Sequence, residues 1–449
     1  MKATRWVALA AVLVVSLGTL AATTLTAGAQ NETPKATDVG ITAKEIHIAV
    51  VADVDNSSVP NLFKPDADAV KGIGNYLNSK AGGGGLAGRK VVVDFYDSKL
   101  NPNATTNAEI QACQNDVAMV GTSSVFLTSV DNMRNCPDST GAVTGLPDIP
   151  FVTTALVQQC SDQSFPIAPP QVDCATKDQH PQTFHANVAR GRYYSQKYGQ
   201  GKLHGVYVFG NDSKSARDSS FVSLGALRDI GIKSDKDFDL PGSANQSAFT
   251  PVIQEMKTDG SNYGQGITYN HMVLMRKEAT LQGLTGVKVW DCGVGCYDQK
   301  FLSSGGTDVE GNYVDTLFLP FYDKADQKAN AAVGNYVKYT GANNVASFGA
   351  YAWAAGLAFR DAVNAAVKAH GINGVTRKTI FEELNKIHKF DADGMFAPID
   401  LAGRKISNCS VTMQVKNGKF VRVNPTKAGT FKCWPNGIVT RKLDIFTSG

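Results

Sequence analysis

The chain has 449 residues, 43% of them hydrophobic and 19% charged, a composition that excludes general disorder and leaves room for two separate cores. The formal charge is only +4, and two of the contributing cations, Lys2 and Arg5, stand at the extreme N-terminus. A balance so near neutral, without runs of Lys or Arg, gives no reason to expect nucleic acid or an anionic membrane as partner.

Residues 1–29 read as an export signal. Lys2 and Arg5 precede an apolar run over residues 6–22, and Ala27-Gly28-Ala29 is a small-residue cleavage pattern that makes Gln30 the first mature residue. The alternative is an uncleaved anchor, since the run is nearly long enough to span a bilayer. The first cysteine is Cys113, so anchoring through a lipid-bearing N-terminal cysteine is not expected. Residues 30–43 are polar and read as a loose leader.

Beyond the leader, β-rich runs alternate with helical stretches. Strands are predicted at 46–52, 90–96, 117–121 and 149–153, with helices at 66–78 and 103–115 between them. A polar, proline-bearing stretch over 166–183 then marks a boundary. After it the alternation restarts: strands at 205–210, 267–270, 287–291 and 312–319, and helices at 215–230, 251–259 and 272–282. Such β-α-β order implies parallel sheets with helices on both faces. Near the end, Asn417-Gly418 between the β-rich runs 411–415 and 419–423 predicts a hairpin.

The eight cysteines are Cys113, Cys136, Cys160, Cys174, Cys292, Cys296, Cys409 and Cys433. An even number behind an export signal points to disulfides. About 105 pairings are open; pairing each cysteine with the next is the simplest, because every loop so closed is short. The rival for Cys292 and Cys296 is a metal, but no His or Cys pair stands nearby at zinc-site spacing, and neither metal nor cofactor is expected.

In open α/β sheets ligands bind beyond the carboxyl ends of the strands. That singles out residues 53–63, 122–126, 153–159 and 211–215, which follow strands and carry hydroxyl and amide groups. No G-x-S-x-G, H-E-x-x-H or G-x-x-x-x-G-K-[ST] motif is present, so the sequence offers no catalytic signature.

Several segments taken in order resemble the type I periplasmic solute-binding proteins, in particular the branched-chain-amino-acid-binding group. They are Asn78 with Leu86-Ala87-Gly88-Arg89-Lys90, Asp97 with Asn101-Pro102, Gly121-Thr122-Ser123-Ser124, Leu274 to Gly283 with Arg276 and Ala279, Val309-Glu310-Gly311, Gly349 to Ala366, and Asp393-Gly394 ahead of the Asn417-Gly418 hairpin. The resemblance covers about residues 44–425. It implies a two-lobed α/β fold with mainly parallel sheets and several crossovers: lobe one from 44–182 plus 319–390, lobe two from 183–318 plus 391–449. It also implies an exported, monomeric, non-enzymatic protein that captures a small solute between its lobes and delivers it to the membrane permease of an ABC-type transporter. A sensor subunit of the same fold, or a secreted hydrolase using the same cleft, are the competing functions.

By that resemblance Ser123, Ser124, Thr153 and Thr154 hold polar ligand groups on lobe one, and Asn211, Asp212, Tyr269 and Asp291 meet them from lobe two. Asn56 is a further loop candidate and Phe63 an apolar wall. Two departures stand out. Residues 211–216 lack the family's tyrosine, and the acidic residue that meets a ligand ammonium falls at Val294 or Gly295. A buried ammonium without a carboxylate is costly, which argues against an amino-acid ligand.

Overall fold

The structure is a computed structural model that describes residues 32–57, 59–211, 214–266 and 268–445, apart from the side chains of 215 and 216. The expected export signal lies outside the described residues. Residues Pro34–Gly449 form one compact unit. Among the described residues no helix is long and apolar enough to cross a membrane.

The first sheet is built from β1 (Glu45–Ala52), β2 (Lys90–Asp97), β3 (Ala118–Val120) and β4 (Asp148–Ile149). Their order is β2-β1-β3-β4, all parallel. From Ile48 onward every residue of β1 is buried, as expected of a central strand covered by helices on both faces. One covering helix, Pro102–Asn115, starts where Asn101 accepts hydrogen bonds from the Asn103 and Ala104 amides and Pro102 opens the first turn. The predicted fourth strand, 149–153, is cut to two residues. Pro150 has no N–H to give the ladder, and pairing resumes only as a single bridge between Ser123 and Val152.

After the boundary stretch, β5 (Gln182–Asn187) leads to the second sheet: β6 (His204–Gly210), β7 (Lys233–Leu240), β8 (Tyr263–Gly266), β9 (Val289–Cys292) and β10 (Tyr313–Thr316). The chain closes with β11 (Cys409–Lys416), β12 (Lys419–Asn424), β13 (Lys432–Cys433) and β14 (Ile438–Leu443). The second sheet runs β12-β11-β10-β9-β8-β6-β7, with β13 on β11. Its centre is parallel, and the hairpin β11–β12 is added antiparallel at one edge. β14 returns to pair antiparallel with β5.

Two readings of this half need correction, and one strand was not anticipated. The strand placed at 267–270 lies earlier, at Tyr263–Gly266, and Tyr269 already belongs to a helix, Tyr269–Leu281, capped by the Thr268 side chain. The segment 215–230 is an α-helix only over Lys214–Ser223 and then tightens into a 3-10 turn at Gly225–Ile230. β7, with sequence K-S-D-K-D-F-D-L, is the edge strand beside β6, and its charges suit an edge that must not recruit another strand.

Residues between the sheets' strands return to the first sheet through the helix Ser347–His370, which is apolar on nearly every face and correspondingly buried. It lies close against the helix Lys64–Asn78 because Gly356 has no side chain: a Cβ there would stand 2.5 Å from Ile73 Cγ2. All eight cysteines are paired with their sequence neighbours, Cys113–Cys136, Cys160–Cys174, Cys292–Cys296 and Cys409–Cys433.

Candidate functional site

The carboxyl ends of β1, β2 and β3 are tied together by one buried carboxylate. Asp53, directly after β1, is fully buried. Its Oδ1 accepts from Ser98 Oγ (2.6 Å) and the Leu100 amide (2.8 Å), and its Oδ2 from the Val125 amide (2.8 Å). Asp97 does the same one layer out, accepting from the Val54, Asp55 and Lys99 amides. The strand-end loops on this side are therefore rigid platforms.

Of the hydroxyls expected here, Ser123 and Ser124 are fully buried. Ser123 Oγ donates to the Gly121 carbonyl, and Ser124 Oγ meets Thr105 Oγ1 at 3.0 Å. Thr154 Oγ1 donates to the Val125 carbonyl. These three brace the loops. Thr153, half-buried, lines a cavity of about 200 Å³ together with Phe151, Gln159 and Pro170 from the first half and Ser219 and Val222 from the helix after β6. From the first sheet it takes residues just after β4, and the rest of its lining is the 168–172 connector, Phe184 of β5 and the flank of the helix after β6. A second cavity, about 400 Å³, shares Pro170 and Val172 and is otherwise walled by His185 of β5, Ile438 of β14 and connecting residues such as 403–406. Its contact with the carboxyl end of β4, rather than size, makes the smaller one the candidate site.

Asn56 brackets Val59, accepting from its amide and donating to its carbonyl. Phe63 is buried with its ring 6.0 Å from that of Phe348. Phe348 continues to Phe151 at 5.2 Å, and Phe151 stacks on Tyr351 at 4.4 Å. These four rings form a continuous aromatic cluster on the first sheet's side; Phe63 and Tyr351 are buried in it, and of the four Phe151 lines the cavity. Phe151 and Phe348, missed as candidates in sequence, are half-buried. A signal existed: Phe151 follows a strand by two residues, and Phe348 opens the apolar helix.

On the second sheet's side, Asn211 is exposed and donates to the Asp239 carbonyl; Asp212 lies outside the described residues. Tyr269 is 37% exposed at the first turn of its helix. Asp291 differs from expectation. It is fully buried on β9 and receives Arg190 Nε (3.0 Å), Tyr194 OH (2.9 Å) and Tyr263 OH (2.8 Å). Its acceptor capacity is engaged inside the lobe, and Arg190 neutralises its charge. Burial pushes the neighbouring Asp315 up to about 7, against the lowering effect of Arg190.

The loop after β9 is clamped by Cys292–Cys296 and by Tyr297, whose ring sits 4.8 Å from both Phe321 and Phe420. Its Gly295 faces the aromatic cluster: a Cβ there would stand 3.9 Å from Phe348 Cζ.

Residues 45–419 match the family model described as periplasmic binding protein. No curated protein matches the chain in sequence. Among solved structures, a substrate-binding protein of an ABC transporter from Aeropyrum pernix superposes with a TM-score of 0.63 at 14% identity, covering 88% of this chain and 97% of its own. The branched-chain amino acid transporter substrate-binding protein LivJ from Streptococcus pneumoniae, in complex with isoleucine, gives 0.61 at 17%, covering 84% and 98%. A fatty acid ABC transporter substrate-binding protein from Thermomonospora curvata gives 0.61 at 15%, covering 91% and 94%. The fold is thus the type I periplasmic-binding fold, and the chain belongs to the periplasmic binding protein family.

Proposed function

We propose that this protein is the exported, monomeric solute-capturing subunit of an ABC-type importer, without catalytic activity. Its lobes comprise residues 44–182 plus 319–390 and 183–318 plus 391–449, and residues 1–29 are removed on export. The solute lies in the cavity walled by Phe151, Thr153, Ser219 and Val222. It has a sizeable apolar body and a polar end, in the manner of an acyl or aryl carboxylate, rather than the ammonium of a free amino acid.

The observation that carries this is the Phe151 ring lining the cavity and backed by Phe348 and Tyr351, combined with the engagement of Asp53 and Asp291 in internal hydrogen bonds. A lining of this kind rewards apolar burial at about 25 cal/mol per Å². A ligand ammonium would need a carboxylate in reach, and the two at these strand ends are held by their own neighbours. Members of the structural group include one named for fatty acid and one holding isoleucine, so both chemistries belong in the test.

The experiment is a thermal-shift and calorimetric panel of leucine, isoleucine, valine, medium-chain fatty acids and aryl carboxylates. A bound solute raises Tm by mass action. The apolar carboxylates are expected to raise it, and Phe151→Ala to abolish the rise. A rise with isoleucine or leucine but with none of the carboxylates overturns the ligand class. Conversion of the solute during incubation overturns the assignment as a binding protein.

A further inference from the structure

The opposite end of the first sheet carries a cluster that ligand capture does not use. His47 is the third residue of β1, Asp94 lies on β2, and Asp116 follows the helix Pro102–Asn115 and precedes β3. One ligand atom from each lies within 4.8 Å of the others. The cluster is roughly 16 Å from the end of β1 that faces the cavity, at about 3.3 Å per residue.

Three features distinguish it from an ordinary group of surface acids. Asp116 is fully buried; its Oδ2 accepts from Tyr96 OH at 2.9 Å, while Oδ1 is buried with no hydrogen-bond partner. Two carboxylates, Asp94 and Asp116, face each other beside a histidine. The nearby cation is Arg377, whose guanidinium donates to the main-chain carbonyls of Cys113, Asp116 and Pro137. The imidazole stands between two carboxylates: Nδ1 shares a hydrogen bond of 2.7 Å with Asp94 Oδ2, which an ion would replace, and Nε2 lies 3.4 Å from Glu45 Oε2. A carboxylate on the second ring nitrogen is the usual orienting partner of a metal-bound histidine.

We propose that His47, Asp94 and Asp116 bind one divalent transition-metal ion of the zinc class, with Glu45 orienting the imidazole. A tetrahedral zinc ion needs its ligand atoms about 3.4 Å apart, which small side-chain rotations achieve from the observed spacing. His47 and Asp94 are half-buried, leaving an entry path and a position for water. One nitrogen and two carboxylates favour zinc over calcium, which takes six or more oxygens. The ion ties β1, β2 and the start of β3 together, so its role is to stabilise the lobe.

The test uses the untagged full chain, stripped with chelator, dialysed and titrated with zinc chloride by calorimetry at neutral pH, with metal content measured after gel filtration. One equivalent of zinc is expected to remain bound and to raise Tm. His47→Gln and Asp94→Asn, each checked for native circular dichroism, are expected to weaken binding by about a hundredfold, and Glu45→Gln by about tenfold. The proposal is overturned if no zinc is retained, the two carboxyls then simply sharing a proton. It is also overturned if folded Asp94→Asn binds zinc as tightly as the parent, or if calcium displaces zinc at equal concentration.

Discussion

Replacing Asp53 by alanine removes one side chain and unfastens three loops. The carboxylate takes hydrogen bonds from Ser98 Oγ, the Leu100 amide and the Val125 amide at 2.6–2.8 Å, and the residue is 0% exposed. Each donor left unpaired in such a site costs about 1–3 kcal/mol. The three share one acceptor group, so their losses do not add fully, and a total of about 3–5 kcal/mol is expected. Asp55→Ala, at an exposed position two residues on, is the control and should stay within about 0.5 kcal/mol. Urea denaturation at pH 7 measures both. A loss below about 1 kcal/mol for Asp53→Ala, with unchanged m-value, would falsify the view that this carboxylate organises the strand ends. Asp53→Asn separates charge from shape: it retains one acceptor but turns an NH₂ toward a donor, and should recover only part of the loss.

Asp291→Ala leaves Arg190 as an uncompensated buried cation and should cost about 3–5 kcal/mol, while Arg190→Met with Asp291→Leu should recover most of it; a single and a double variant of equal stability would refute the pairing. Gly205→Ala puts a Cβ 1.7 Å from the Tyr263 carbonyl oxygen on the adjacent strand, and is expected to prevent accumulation of folded protein, read by circular dichroism and proteolysis. Burial raises the carboxyls of Asp148 and Glu109 to about 7. In the unfolded chain they ionise near 4. Each therefore stabilises the fold below pH 4 relative to neutral pH, and that contribution is lost as pH rises to about 7. Asp148→Asn should flatten this decline by up to about 1.4 kcal/mol per pH unit between pH 4 and 7, followed by urea midpoints; an unchanged slope refutes the assignment of a protonated Asp148.

The elements that were legible in the sequence are those whose local pattern and tertiary role agree. β1, β2 and the Asn417-Gly418 hairpin carry their own periodicity and turn chemistry. What was illegible depended on partners distant in sequence. β8 reads Tyr-Gly-Gln-Gly, a poor strand by propensity, yet its glycines are demanded by neighbours: a Cβ on Gly264 would lie 2.7 Å from the Trp290 ring. β7 is mostly polar, with only Phe238 and Leu240 apolar, because it is an edge. Asp291 looked available because it ends an apolar strand. Only the fold brings Arg190, Tyr194 and Tyr263, separated from it by 28 to 101 residues, onto its carboxylate. The hydroxyls Ser123, Ser124 and Thr154 were located at the right strand ends, but hydrogen bonds to Gly121, Thr105 and Val125 occupy them.

The distribution of polar groups around the cavity bears on what selects a solute. Were recognition to rest on charge, the strand-end carboxylates would be poised and incompletely paired; here Asp53 and Asp291 each hold three donors. They make the platforms stiff, so the loops lose little freedom when a solute enters, and stiff platforms lower the ordering cost of binding. On the proposed reading, selection then falls to the shape of the lining around Phe151 and to the few polar groups on it, of which Thr153 is one. The loop that carries Gly295 toward Phe348 is fixed from both ends, by the Cys292–Cys296 disulfide and by the Tyr297 hydroxyl, which accepts from the Tyr322 amide at 2.9 Å. Small size at residue 295 preserves space beside Phe348 that a side chain would fill. On the proposed reading, a glycine in this place, opposite an aromatic ring, leaves room for an apolar group.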